Sequence, residues 1–421
     1  MPPPLPQISD RQSFSRHAGS SLYVDGYRVS PAKAPPEGRV ALIAAQPVDA
    51  SAAQLMAAID AGREFCIHTG LSPDAGPDGG AFVQCETSGS SGQPKRIRRS
   101  HASWIRSFEL DRGLWNMAQG DHVAVFGALS HSLALYGAVC ALHIGADLSV
   151  ITAPRPDVRL RQMDAAAPTH LFTTPTQLRQ LATARDGVTP ISGLLHVLVG
   201  GGFLDGAAKE AAQALFPNAA IHGFYGASET SFITFSDAGT PPLSVGRPYP
   251  GVTLRIRDGN GNDLPSDEVG EIWVRSPFLF EGYALGNSME TRWQDGFLTV
   301  GELGWRDAEG FLYHAGRRNR MFTVSDRNVF PEAMERILLN QPGVAHAAVL
   351  PVPDPRRGSV PVCFLSGPSS LLDPGAVLRA CRQRLGAELA PRRATLLEDW
   401  PTLPSGKTDL AALERLLQGA S

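Results

Sequence analysis

An α/β fold is predicted for this 421-residue chain, with a large N-terminal α/β domain that includes a β-rich subdomain and a small α+β C-terminal domain. Three observations predict it. Short apolar runs at residues 123–126, 148–151, 171–173 and 197–199 alternate with helical stretches such as 176–184, as strands buried between helices do. After residue 240 the texture changes to TLRIRD, GEIWVRS and GFLYHAG, separated by Gly, Asp and Asn turns, as in antiparallel strands. Beyond Arg317 a third pattern begins, with a helix at 331–339, strands at 345–352 and 360–365, and a helix at 374–385. This sets the domains at 1–318 and 319–421. The length agrees, since it exceeds what one hydrophobic core usually serves.

The N-terminal part is rich in Ala, Pro and Gly, with an apolar run at 40–45 that reads as a strand, a helix at 52–61 and a loop at 73–80. The hydrophobic share is 43%, the charged share 19% and the formal net charge −3. Such a balance leaves no electrostatic footprint for nucleic acid or an anionic membrane. The five cysteines are scattered and lack CxxC spacing, which argues against a disulfide framework or a zinc site and fits a reducing cytoplasm. No segment reaches the uncharged apolar length needed to span a bilayer, and the first residues lack a basic run followed by an apolar core. A soluble, cytoplasmic protein is expected.

The string TSGSSGQPK begins at Thr87, continues through Ser88, Gly89, Ser90, Ser91 and Gly92, and ends at Lys95, just before a helix expected from about Ser100. Hydroxyls and flexible glycines let N–H groups and side-chain oxygens turn toward a polyanion, and the lysine adds a compact positive charge. Phosphate binding is the natural reading. The spacing differs from GxxxxGK[ST], which disfavours a P-loop NTPase of the kinase or GTPase kind. Further on, Gly200, Gly201 and Gly202 close a predicted strand, where missing Cβ atoms let a ligand approach the backbone.

The string TSGSSGQPK resembles the phosphate-binding loop of the adenylate-forming superfamily of acyl-CoA synthetases, peptide-synthetase adenylation domains and luciferases, and the resemblance runs from about residue 81 to the end. GFYGASET, which contains Phe224, Tyr225, Gly226, Ser228 and Glu229, is similar to the family's Tyr-Gly-x-Thr-Glu signature, with serine for threonine. The resemblance implies that Tyr225 stacks on adenine, Ser228 meets the α-phosphate and Glu229 helps to hold magnesium. A hard cation suits such an oxygen ligand, with waters and substrate phosphates completing its shell. Glu302 sits where relatives carry the aspartate of Thr-Gly-Asp, so the resemblance gives it and Arg317 the ribose hydroxyls. Because glutamate is longer by one methylene, the ribose must shift or the turn must relax.

LPSGKTD, at 403–409, matches the loop of the family's catalytic lysine and assigns that role to Lys407. Attack of a carboxylate on the α-phosphate brings two anions together, so a mobile cation there stabilises the transition state. SHSLALYG, at 130–137, resembles the stretch bordering the acyl group, which makes His131 a gate and places Leu133, Gly200 and Phe224 in the pocket wall.

The implied activity uses ATP and Mg2+ to turn a small carboxylic acid into an acyl-AMP, then passes the acyl group to a pantetheine thiol, of CoA or of an acyl carrier protein. In the family the C-terminal domain is a mobile lid, and its hinge falls here at Asn319. The loop after it, TVSDRNV, puts Asp326 and Arg327 where relatives carry lysine or glycines, adding bulk and charge on the path of a thiol arm. Only about 80 residues precede the phosphate loop, which implies an abbreviated N-terminal subdomain, as in compact stand-alone ligases for aryl acids. The expected substrate is therefore an aryl acid such as a hydroxybenzoate or hydroxycinnamate. Activation of a fatty or amino acid, or nucleotide binding without the thioester step, are the alternative readings.

Overall fold

The computed structural model describes residues 8–9, 12–70, 80–87, 95–184, 189–402 and 408–419. A nine-stranded sheet organises the N-terminal part, in the order Arg247–Pro248, Ser231–Ser236, Ala220–Ala227, His196–Val199, His170–Thr173, His122–Phe126, Asp147–Ile151, Leu22–Val24, Tyr27–Val29. From Ala220–Ala227 to Leu22–Val24 every pairing is parallel. Parallel strands need crossovers, and the crossover helices cover both faces of the sheet. The alternation along His122–Phe126 shows the result, with Val123 and Val125 in one core and Ala124 and Phe126 in the other. The helix Ser132–Ile144 is apolar almost all round because it is buried almost all round.

A second, five-stranded sheet holds Lys95–Ser100 between Phe82–Thr87 and Gly282–Leu285. Ser100 both ends its strand and caps the helix His101–Leu114, its hydroxyl accepting from Ser103 N–H at 3.3 Å. The expected β-rich subdomain is a six-stranded antiparallel sheet that includes Gly270–Arg275, Glu302–Arg306 and Leu312–Arg317. The C-terminal part pairs His346–Asp354 with Gly358–Ser366. Val349, Cys363 and Leu365 face one small core there, and Leu350, Val362 and Phe364 face another under Leu413.

Several boundaries differ from expectation. The first helix is Val48–Asp60, starting earlier than residue 52, because Pro47 at its N-cap and Asp49 in its first turn favour that start. The helix Pro175–Thr183 begins at a capping box between Thr174 and Gln177. The segment read as a loop at 323–329 is a hairpin of Phe322–Val324 and Arg327–Val329. Its turn residues, Ser325 and Asp326, take φ of 48° and 63°, the left-handed pair that two-residue hairpin turns require. Residues 73–79 of the expected N-terminal loop lie outside the described residues. Among the described residues all five cysteines are buried thiols, and no helix is long and apolar enough to cross a membrane.

Candidate active site

Ligands of open α/β sheets bind in the crevice beyond the carboxyl ends of the strands. Here those ends deliver Thr174, Gly200, Gly201 and Gly202, with the start of the helix Ser132–Ile144 beside them. A Cβ on Gly200 would lie 3.3 Å from the Phe224 ring and 3.6 Å from Leu133, so these three predicted pocket residues do meet. Gly201 turns the chain at φ +80° against Thr174, and Gly202 lies against Pro175. His131 is half-buried and occupies the N-cap of Ser132–Ile144 without a side-chain capping bond.

An aromatic block lies behind Phe224. Phe224 packs on Phe232 at 4.5 Å between centroids, and Phe232 meets Tyr136 at 4.9 Å and Tyr249 at 5.4 Å. Tyr136 and Tyr249 donate to the two oxygens of buried Asp111 at 2.6 and 2.7 Å. Burial raises the Asp111 carboxyl to about 6 despite these bonds.

The signature strand bulges between Tyr225 and Gly226, and any side chain at Gly226 would collide with the Ser231 carbonyl. Half-buried Ser228 and Glu229 follow. The Glu229 carbonyl accepts from Phe280 N–H at 2.9 Å and from the Arg99 guanidinium at 3.4 Å. Glu229 Oε1 accepts from the Tyr283 hydroxyl at 2.9 Å, and that hydroxyl is 2.7 Å from Thr291 Oγ1. Lys95 is buried, with Nζ 6.0 Å from the centre of the Tyr283 ring. Tyr283 thus links two predicted residues, Lys95 and Glu229, although the sequence reading passed over it.

Glu302 is 7% exposed. Its Oε2 accepts from Tyr225 at 3.2 Å and pairs with His314, while Oε1 accepts from Arg317 Nε at 3.1 Å. Adjacent strands in register, Glu302 opposite Arg317, make this cluster. Burial alone would raise the Glu302 carboxyl, but His314 foremost, then Arg317 and the Tyr225 hydrogen bond, hold it down to about 2. The same carboxylate raises Arg317, against the effect of burial. His314 was missed, because the bulge between Leu303 and Gly304 shifts the register that brings it in. From the C-terminal part, Glu332 accepts from Arg317 N–H at 3.4 Å and Arg336 donates to the His314 carbonyl.

Asn319 lies in the short 3₁₀ turn Arg318–Arg320. Arg318 pairs with Glu271 at 2.7 Å, and Arg320 pairs with Glu335 at 2.6 Å and with Glu332 at 3.2 Å. Ser88, Gly89, Ser90, Ser91, Gly92 and Lys407 lie outside the described residues, as does the side chain of Thr87.

Comparison with known proteins decides the family. The AMP-binding enzyme model matches residues 16–284, and the AMP-binding enzyme C-terminal domain model matches 333–407. The chain belongs to the AMP-binding enzyme family. Among its relatives is the uncharacterized acyl–CoA ligase YhfT of Bacillus subtilis strain 168, 33% identical over 80% of this chain and 69% of that protein. The 3-hydroxybenzoate–CoA ligase of Aromatoleum sp. strain CIB is 29% identical over 82% of this chain and 68% of that protein. The structure resembles the amide bond synthetase McbA from Marinactinospora thermotolerans at TM-score 0.72, with 25% identity, covering 90% of this chain and 80% of that one. The anthranilate CoA ligase AuaEII in complex with anthranoyl-AMP shares the fold at TM-score 0.74 and 20% identity, over 91% and 79% of the two chains. By class this AMP-binding enzyme is an AMP-forming acid–thiol ligase, and ATP, Mg2+ and CoA are the cofactors of that class.

The donor set suits those cofactors. Glu229 offers one carboxylate with a single oxygen engaged by a described side chain. No cluster of three or more His, Cys, Asp or Glu able to hold a metal occurs among the described residues. Magnesium is bound this way when one carboxylate and the nucleotide phosphates share it. Glu302 remains an ionised acceptor with lone pairs beyond those its three partners use.

Proposed function

We propose that this AMP-binding enzyme activates a small aryl carboxylic acid as its acyl-AMP and transfers the acyl group to CoA. The observation that carries the reading is the meeting of Leu133 and Gly200 with Phe224 against the aromatic block, Phe224 lying on the signature strand that supplies Tyr225 and leads to Glu229. A flat acid suits a wall backed by packed rings. A relative named for 3-hydroxybenzoate ligation supports the same class.

In this reading the ATP supplies the adenylyl group and, with magnesium, the polarised phosphate at which the acid reacts. Tyr225 presents its face to adenine while its hydroxyl is held by Glu302. Glu302 and Arg317 bind the ribose hydroxyls, as acceptor and donor. The loop from Thr87 through Ser88, Gly89, Ser90, Ser91 and Gly92 to Lys95 surrounds the phosphates, and Ser228 meets the α-phosphate. Lys407 neutralises the charge that accumulates as the acid attacks and pyrophosphate leaves. The domains divide at 318 and 319, Asn319 is the hinge, and His131 gates the acyl pocket.

The test is pyrophosphate release across hydroxybenzoates, cinnamates, fatty acids and amino acids, with CoA, a phosphopantetheinylated carrier protein and an amine as parallel acceptors. Acid-dependent release confined to aryl acids, with thioester formation on CoA, is expected. Preferential turnover of long-chain acids would overturn the substrate class, and product only with the carrier protein would overturn the acceptor.

A further inference from the structure

We propose that Tyr283, backed by Thr291, is a positioning residue that fixes the Glu229 carboxylate and so sets how tightly magnesium–ATP is held. The inference rests on Glu229 being the magnesium-side carboxylate. Neither tyrosine nor threonine belongs to a segment already given a role above.

The direction of the hydrogen bonds follows from valence. An ionised carboxylate only accepts, so the single phenolic proton of Tyr283 goes to Glu229 Oε1 at 2.9 Å. Thr291, 2.7 Å from the same phenolic oxygen, must then donate to it. The chain Thr291 to Tyr283 to Glu229 therefore runs one way, and each link polarises the next. It ends on one carboxylate oxygen, and Oε2 accepts from no described residue.

The backbone of Glu229 is fixed independently. Its carbonyl is held by Phe280 N–H and by Arg99, which is 1% exposed. With the main chain pinned, the remaining freedom is rotation of the side chain, which is what the Tyr283 hydroxyl removes. The brace is also mounted on the phosphate side of the site. Tyr283 stands opposite Ile97 in the pairing of Gly282–Leu285 with Lys95–Ser100, the strand that begins where the phosphate loop ends. Lys95 lies by the same ring. Partners that orient a metal ligand in this manner typically change metal affinity 10- to 100-fold when lost.

The experiment is calorimetric titration of ATP into the full chain at a series of magnesium concentrations, with no acid present, for Tyr283→Phe, Thr291→Val, Thr291→Ser and Glu229→Gln. Tyr283→Phe should raise the magnesium concentration for half-maximal tightening of ATP binding about tenfold, while ATP binding in EDTA stays unchanged. Thr291→Val should move it in the same direction by less, and Thr291→Ser, which keeps the hydroxyl, should reverse most of that shift. If Glu229→Gln removes the magnesium dependence but Tyr283→Phe and Thr291→Val match the unaltered protein, the brace is wrong. If Glu229→Gln itself leaves the magnesium dependence intact, the underlying assignment of Glu229 fails instead.

Discussion

Replacing Glu302 by glutamine tests the cluster of Glu302, His314, Arg317 and Tyr225 most directly. The carboxyl is held at about 2 in the folded protein against an ordinary value of 4.5, chiefly by His314 and Arg317 working against burial. A depressed carboxyl contributes stability that is fully present above its unfolded value and is lost as pH falls through its folded value. The displacement corresponds to about 3 kcal/mol at pH 7, shrinking to about 2 kcal/mol at pH 3.5. Glu302→Gln removes the charge but keeps the shape, so it should lose stability of that order at neutral pH, with a smaller loss in acid. Urea denaturation of both proteins at pH 7, 5 and 3.5 measures the gap, and ATP titration on the same samples should show weakened binding. Equal stability at pH 7, or a gap that widens toward acid, would refute the electrostatic account.

Lys407→Ala should abolish acid-dependent pyrophosphate release while preformed acyl-AMP still reacts with thiol; near-normal release would remove that lysine from the first half-reaction. Asp326→Gly should raise turnover with free CoA without loss of thermal stability, because glycine accepts the φ of 63° that the hairpin turn already imposes. Unchanged or reduced turnover would mean that the side chain does not obstruct the thiol. Gly200→Ala places a methyl 3.3 Å from the Phe224 ring and should penalise ring-substituted acids more than unsubstituted ones, by on the order of tenfold in kcat/KM. A uniform effect across acids would place Gly200 outside the acyl pocket.

Much of the fold was legible because it is written locally. The helices Pro331–Leu339 and Pro374–Leu385 carry Pro at their first turns and fall where the periodicity placed them. The buried parallel strands read as short continuous apolar runs because both of their faces are covered. The hairpin of Phe322–Val324 and Arg327–Val329 was not legible, since Ser325 and Asp326 adopt positive φ without the Asn-Gly signal that usually announces it. In the site, the motif residues were readable one by one but their supports were not. Tyr283 reaches Glu229 across 54 residues and Tyr225 reaches Glu302 across 77, distances that only sheet pairing closes. Asp111 belongs to no motif, yet Tyr136, Tyr249 and Trp115 converge on it inside the core.

The two arginines flanking Asn319 have a mechanical consequence. Arg318 is tied to Glu271 in the antiparallel subdomain, and Arg320 to Glu332, Glu335 and the Val349 carbonyl on the other side. On the proposal that Asn319 is the hinge, ion pairs tether the chain on either side of it, and the turn falls on the residue between them. The proposed rotation would have to release, among the described residues, the hold of Arg336 on the His314 carbonyl and the Phe203 ring, and of Glu332 on Arg317 N–H. Both hydrogen bonds end on the strand Leu312–Arg317, whose His314 and Arg317 side chains hold Glu302, so in the proposed reading nucleotide binding and lid movement bear on the same strand.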